Sequence, residues 1–164
     1  MDTHSSSSNA AFPLSNKQAA RIVQGRHTEV LVTSFVDKIL ILVSQYGKVG
    51  SVIHTAVDQQ TLAPNTTTSS SDLVSTSSTF LLGAGSSVSK KTQLYNVYAS
   101  HISQMIHHQN PAETRSVILS LALAVQEPDL ERSPTLEEEQ DQRRQDRDLF
   151  ENVIELINEC SVWN

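Results

Sequence analysis

The apolar residues between positions 26 and 57 form three strand-like runs, at 27–35, 38–46 and 49–57, with almost no chain between them. The middle run contains five consecutive apolar residues, is rich in β-branched types and is too short for an independent helix. Gly47 tolerates the positive φ of a tight turn between the second and third runs. The three runs therefore predict a hairpin meander whose middle strand lies at the centre of a sheet.

The middle run is apolar on both of its faces, because Ile41 and Val43 alternate with Leu42 along the strand. Helices of the same chain cover one face of such a sheet, so the other face must meet a second layer or a second chain. The pattern indicates association through the sheet. It makes Ile41, Leu42 and Val43 candidate partner-contact residues.

Further segments complete the predicted secondary structure. Residues 17–24 are predicted to form an edge strand, 80–82 a short strand, and 115–125 a second central strand with large residues on one face and smaller ones on the other. Residues 92–108 carry one apolar stripe at helical spacing. Thr135 opens a capping-box sequence, T-L-E-E, which predicts a final helix whose apolar second half docks on the sheet.

Polar segments lie before and between these elements. Residues 1–15 have too few apolar side chains to bury and predict a disordered tail. Residues 58–79, with twelve serines or threonines, predict a mobile loop, and residues 126–136 predict a polar linker. The expected fold class is α+β: a single domain at residues 16–164, in which two helices pack on an antiparallel sheet of about six strands.

The charge of the chain is concentrated in one segment. The net charge of the 164 residues is −6, and residues 127–148 contribute −5 of it. The rest of the chain is nearly neutral and poor in aromatic residues, which argues against a nucleic-acid-binding protein. Cys160 is the single cysteine, so no internal disulfide forms, and no apolar run reaches the ~20 residues that span a bilayer. We expect a protein of a reducing intracellular compartment.

None of the motifs that could carry chemistry is complete. Gly83 and Gly85 precede a predicted helix without the rest of a phosphate-binding loop, so a strand-to-helix linker is the better interpretation. His101 and His108 share a helix face but lack a neighbouring cysteine or carboxylate at zinc-ligand spacing. Cys160 lies on the apolar stripe of the last helix, away from any histidine in sequence, and is interpreted as a buried thiol. We expect no catalytic, cofactor-binding or metal-binding residue, and the residues alone predict a small binding module.

Several short strings of the sequence are distinctive. They are T-E-V at 28–30, Q-Y-G-K-V-G at 45–50, F-L-L-G at 80–83, the strand at 117–125 and C-S-V-W at 160–163. Together with the order of the predicted elements, these strings resemble the proteasome assembly chaperone 3 family over residues 17–125 and 147–163.

The resemblance implies a compact α+β fold that dimerises through its sheet, with the related proteasome assembly chaperone 4 or with itself. Such a dimer binds α subunits of the 20S proteasome on the face that later receives β subunits, promotes correct ring formation and leaves as β subunits join. The resemblance implies no catalysis, nucleotide or metal, and a location in the cytoplasm with the nucleus as a second site. Relatives contact α subunits through a mobile acidic loop, which corresponds here to residues 58–79, where Asp58 and Asp72 are the only acids.

Two other classes of function stay open at the level of sequence. One is a small-ligand or regulatory protein-binding module unrelated to the proteasome, in which the histidine-rich helix lines a pocket. The other is a cysteine-dependent enzyme. The two-faced apolar strand favours the chaperone, because association covers a face that a pocketed monomer would have to expose or seal by itself.

Overall fold

Six strands and two helices form the regular structure of the described residues, which are 14–58, 75–83, 85–87, 89–125 and 135–163 of this computed structural model. The elements are β1 (Ser15–Val23), β2 (Arg26–Ser34), β3 (Lys38–Ser44), β4 (Ser51–Val57), β5 (Thr76–Leu82), α1 (Lys90–Gln109), β6 (Ser116–Ala122) and α2 (Leu136–Glu159).

The six strands form one sheet in the order β1-β2-β3-β6-β4-β5. β3 and β6 are parallel, whereas the other neighbouring pairs are antiparallel. The prediction of a purely antiparallel sheet is therefore wrong, and the sheet is mixed. The predicted meander is wrong at its second turn, because β6 lies between β3 and β4 and separates them.

The position of β6 follows from the apolar content of the strands. β3 carries large apolar residues on both faces, and β6 carries them on one face with Ile118 on the other. Strands of this kind are stable in central positions. β4 includes the polar His54 and Thr55, so it takes a place nearer the edge. In the parallel pair, Ile41 lies beside Leu119, and both side chains are fully buried.

Gly50 allows the β3–β4 connection to pass close to the end of β6. A Cβ atom at this position would lie 1.9 Å from the carbonyl oxygen of Leu121, so only glycine fits. Gly47 has the positive φ predicted for a turn, 64°. The turn nevertheless does not close a hairpin, because the chain passes β6 before it enters β4.

Both helices pack on the same face of the sheet. α1 contributes the buried Tyr95 and Tyr98, and α2 buries its second half around Val153. The predicted capping box is confirmed, because the Thr135 hydroxyl accepts from the N–H of Glu138 and the Glu138 carboxylate accepts from the N–H of Thr135. Neither helix of the described residues is long and apolar enough to cross a membrane.

The residues after α2 are fixed to the rest of the fold. Trp163 is 2% exposed, and its indole N–H donates to the side chain of Gln109 at 2.7 Å. The main-chain carbonyl of Trp163 accepts from the side chain of Asn110 at 2.7 Å. The Lys17 ammonium donates to the main-chain carbonyl of Ser161. The C-S-V-W string therefore ties the C-terminal residues to α1 and β1.

Arg115 anchors the start of β6 to the turn between β2 and β3. Its guanidinium donates to the Glu113 carboxylate from Nε at 2.8 Å and from Nη2 at 2.5 Å. Nη1 donates to the Ser34 hydroxyl at 2.6 Å and to the Phe35 carbonyl at 2.9 Å. These bonds fix the end of the sheet at which the parallel pairing of β3 with β6 begins.

β5 begins inside the segment that was predicted to be a mobile loop. Residues 76–79 pair with β4 as part of an edge strand, and residues 59–74 lie outside the described residues. The Ser78 hydroxyl donates to Thr55 Oγ1 at 3.2 Å. An edge strand that buries little surface tolerates serine and threonine, and threonine has high strand propensity.

The predicted tail and linker also contain residues of the fold. Ser15 belongs to β1, and residues 1–13 lie outside the described residues. Thr135 caps α2 and Leu136 is its first residue, whereas residues 126–134 lie outside the described residues. One apolar core joins the sheet to both helices.

Candidate partner-binding site

The face of the sheet opposite the helices is not covered by any described element. It carries half-buried apolar side chains from four neighbouring strands, which are Leu31, Leu40, Leu42, Ile118 and Val52. The strand register places Leu42 beside Leu31 and Leu40 beside Ile118, so these side chains form one patch. We call this surface the open face.

The alternation along β3 decides which of its residues can meet a partner. Ile41 is 0% exposed and Val43 is 1% exposed, and both belong to the apolar core under the helices. Side chains alternate between the two faces of a strand, so Leu42 points to the open face. The prediction of partner contacts at Ile41 and Val43 is therefore corrected, and Leu42 is the candidate that β3 retains.

The open face is concave beside the connection between β3 and β4. A cavity of about 250 Å³ lies there, lined by Leu31 and Leu42 and by Glu29, Lys48 and Val49. Val49 is 64% exposed, so apolar surface continues from the patch to the rim of the cavity. The cavity gives the open face a place for a side chain of a partner.

Few charged groups lie on or beside the open face. Glu29 is half-buried, and its carboxylate lies 3.5 Å from the imidazole of His27. His54 occupies the position between Ile118 on β6 and Thr79 on β5. The low density of charge indicates that burial of apolar surface, and not ion pairing, dominates any contact made here.

The two acids of the predicted contact loop have different outcomes. Asp58 directly follows β4 and is exposed. Its carboxylate accepts from the Ser75 hydroxyl at 3.3 Å, and its N–H donates to the Ser75 carbonyl at 2.9 Å, so the two ends of the loop are joined. Asp72 lies outside the described residues. A role of either acid in binding α subunits stays a prediction.

The alternative of a ligand site lined by histidine finds little support at His107, a residue of α1. The cavity beside His107 has a volume of about 10 Å³, which holds roughly one water molecule. His101 instead lies edge-on to the ring of Phe150, with the ring centroids 5.1 Å apart. Within the described residues, no group of three or more histidine, cysteine or acidic side chains is arranged to hold a metal ion.

Cys160 lies in the core at the end of α2 and is 2% exposed. Burial raises the pKa of its thiol, which keeps the sulfur protonated at neutral pH. A nucleophilic cysteine needs the opposite environment, one that stabilises the thiolate. The surroundings of Cys160 therefore favour a packing role.

Sequence reasoning did not select four residues of the open face, namely Leu31, Leu40, Val52 and Ile118. Period-two alternation assigns each of them to one face of its own strand. That they form a single patch depends on the order of β2, β3, β6 and β4 in the sheet. This order joins segments distant in sequence, so no local signal could have identified the patch.

Known proteins are similar to this sequence over most of its length. The profile of the family described as Proteasome assembly chaperone 3 matches residues 41–133. Proteasome assembly chaperone 3 of Bos taurus is 30% identical over 150 residues, covering 92% of this chain and 95% of the relative, and that of Nematostella vectensis is 25% identical over 114 residues, covering 70% and 78%. A chain from the crystal structure of a chaperone complex for yeast 20S proteasome assembly has 12% identity and a TM-score of 0.47, covering 83% of this chain and 98% of that chain. Because the profile spans more than half of the chain and the bovine relative is matched almost throughout, the chain belongs to the proteasome assembly chaperone 3 family.

Proposed function

We propose that this member of the family is a non-catalytic chaperone of 20S proteasome assembly that works as a dimer formed through the open face. The partner is proteasome assembly chaperone 4 or a second copy of this chain. The dimer binds α subunits, promotes correct formation of their ring and leaves as β subunits join. Family membership supports the chaperone role, and the open face supports the dimer.

The open face is the observation that carries the proposal of a dimer. Monomeric proteins rarely expose a contiguous apolar patch without using it for binding. A second sheet that packs face to face at a spacing of about 10 Å would remove these side chains from water. Leu42 lies in the interior of the patch, between Leu31 of β2 and Ser120 of β6, so a partner sheet would bury it.

The proposed contact with α subunits must hold an intermediate and still yield to β subunits. Outside residues 127–148 the chain is nearly neutral, so affinity depends on local complementarity more than on long-range attraction. The segment at 58–79 is the proposed contact, as the family resemblance implies. The sequence predicts that this segment is mobile, and ordering such a segment on binding opposes association, which would keep the contact displaceable.

Sedimentation velocity of the full chain at tens of micromolar tests the dimer. The wild-type chain, alone or mixed with proteasome assembly chaperone 4, is expected to sediment as a dimer. Leu42→Asp is expected to give a folded monomer, because its carboxylate would be buried unpaired in the interface. Val36→Asp is the matched control, since it adds the same charge at the β2–β3 turn, where the side chain is 96% exposed.

Circular dichroism separates loss of the dimer from loss of the fold. Leu42→Asp should retain the wild-type spectrum, whereas Ile41→Asp should unfold the chain because Ile41 lies in the core. The dimer would be refuted by a wild-type chain that stays monomeric both alone and with proteasome assembly chaperone 4. It would equally be refuted if a folded Leu42→Asp chain dimerised as well as Val36→Asp.

A further inference from the structure

A second surface lies at the end of the sheet where β6 stops. Two adjoining cavities of about 500 Å³ and 340 Å³ share Tyr46, Ala124 and Val125 as lining residues. The larger cavity is also lined by Arg26 and the smaller one by Lys48. We call the continuous depression the basic groove.

The floor of the basic groove is held in place by side-chain hydrogen bonds. The Gln45 side chain accepts from the N–H of Ala124 at 2.9 Å and donates to Thr28 Oγ1 at 3.0 Å. The N–H of Leu123 donates to the Tyr95 hydroxyl at 3.1 Å. The extended backbone after β6 is therefore fixed by β3 and α1, so a ligand would meet a preformed surface.

The charges that the basic groove offers to a ligand are positive. The guanidinium of Arg26 is exposed and forms no ion pair with the described residues. The Lys48 ammonium lies 5.7 Å from the centre of the Tyr46 ring. Asp146 is the acid among the lining residues, and the Lys90 ammonium already neutralises it at 2.7 Å.

A cluster of cations is unusual in this chain, because the chain as a whole is acidic. The net charge of the chain is −6, and most of its excess acid lies in residues 127–148. Tyr46 is 51% exposed and lines both cavities, the one that Arg26 lines and the one that Lys48 lines. A groove that combines separated cations with an exposed aromatic ring complements an extended chain in which acidic and apolar side chains alternate.

We propose that the basic groove binds an acidic, extended segment of a partner protein. Arg26 and Lys48 each pair with a carboxylate of the segment, and Tyr46 packs against an apolar side chain between them. The basic groove adjoins the open face at Lys48 and Val49, which also line the cavity of the open face, whereas Arg26 and Tyr46 do not line that cavity.

Fluorescence anisotropy with a short labelled peptide of alternating glutamate and leucine tests the proposal on the full chain. The wild-type chain is expected to bind this peptide and not the matched peptide of glutamine and leucine. The double variant Arg26→Gln/Lys48→Gln should weaken binding about tenfold, as expected for two partly exposed ion pairs. Lys38→Gln removes one positive charge at the opposite end of β3 and is the control for a general effect of lost charge. Tyr46→Ala should weaken binding without changing its dependence on salt.

Four results would overturn the proposal. In the first, the chain binds the glutamine peptide as tightly as the glutamate peptide, and in the second, the double variant binds the glutamate peptide as tightly as the Lys38→Gln control does. In the third, the chain binds a single-stranded oligonucleotide more tightly than the acidic peptide. In the fourth, the chain binds the acidic peptide only after Glu127, Asp129 and Glu131 are changed to glutamine. The last result would make the chain's own acidic segment the occupant. Sedimentation of Arg26→Gln and Tyr46→Ala keeps this test distinct from the proposed dimer, because neither residue lines the cavity of the open face and both variants should leave the oligomeric state unchanged.

Discussion

Removal of the Arg115 side chain should destabilise the fold more than loss of any exposed ion pair. Arg115→Ala deletes two hydrogen bonds to Glu113 and two to the β2–β3 turn. It also leaves a carboxylate whose side chain is 8% exposed without its cation. The perturbation falls at the end of the sheet where β3 and β6 begin to pair.

The expected magnitude lies between those of buried and exposed ion pairs. Removal of one partner from a buried pair costs about 3–5 kcal/mol, whereas an exposed pair contributes about 0–1 kcal/mol. The Arg115 side chain retains 20% exposure, so water compensates part of the loss. We therefore expect Arg115→Ala to lower the free energy of unfolding by about 2–3 kcal/mol.

Urea unfolding monitored by circular dichroism measures this loss. Arg143→Ala is the matched control, because Arg143 is 80% exposed and lies 3.7 Å from Glu139, and its loss should cost less than about 0.5 kcal/mol. The double variant Glu113→Gln/Arg115→Ala removes the stranded charge and should recover about 1 kcal/mol of the loss. A loss in Arg115→Ala no larger than that of the control would refute the anchoring role of Arg115.

The pH dependence of the same variants gives an independent check. Hydrogen bonds from Arg115 lower the pKa of Glu113 below its ordinary value of 4.5 in the folded protein. A lowered folded pKa means that the contribution of the pair is present above the unfolded pKa and is lost as pH falls through the folded pKa. The difference in stability between the wild type and Arg115→Ala should thus shrink on acidification below pH 4.5.

Three further predictions concern other parts of the chain. The Tyr98 hydroxyl is buried with no hydrogen-bond partner among the described residues, so Tyr98→Phe should raise the free energy of unfolding by about 1 kcal/mol, and a decrease would show that the hydroxyl is satisfied. Cys160→Ser should cost about 1 kcal/mol and preserve α-ring assembly, and a folded variant that fails to assemble the ring would assign a role to the thiol. Deletion of residues 61–72 leaves four residues to connect Asp58 with Ser75, enough for a hairpin loop that retains their bonds, so fold and dimer should persist while affinity for α subunits falls; unchanged affinity would place that contact elsewhere.

The positions of most elements could be predicted because each carries a strong local signal. The β-branched run around Ile41 predicted β3, the apolar stripe through Ile102 predicted α1, and the sequence from Thr135 to Glu138 predicted the start of α2. These signals depend on periodicity and capping within one segment. Strand pairing depends on distant segments, which is why the parallel neighbour of β3 was missed.

The candidate site could be predicted only in part, because it too depends on how distant segments come together. The two apolar faces of β3 indicated a surface to be covered, yet the sequence could not say which face the helices take. Leu42 and Ile41 were therefore equivalent until the helices fixed the covered face. Arg26 is the first residue of β2 and Lys48 lies in the connection between β3 and β4, and only the fold, which brings both beside the end of β6, reveals a basic groove.

The place of β6 in the sheet has a consequence for the nascent chain on the ribosome. β1, β2 and β3 are neighbours both in sequence and in the sheet, so they can pair as soon as they emerge. β4 emerges before β5 and β6, its two neighbours in the sheet. One edge of β3 and both edges of β4 are thus unpaired for several seconds at an elongation rate of about 5–20 residues per second. Exposed strand edges promote aggregation. A protein that assists the assembly of others therefore passes through an interval in which its own chain needs protection.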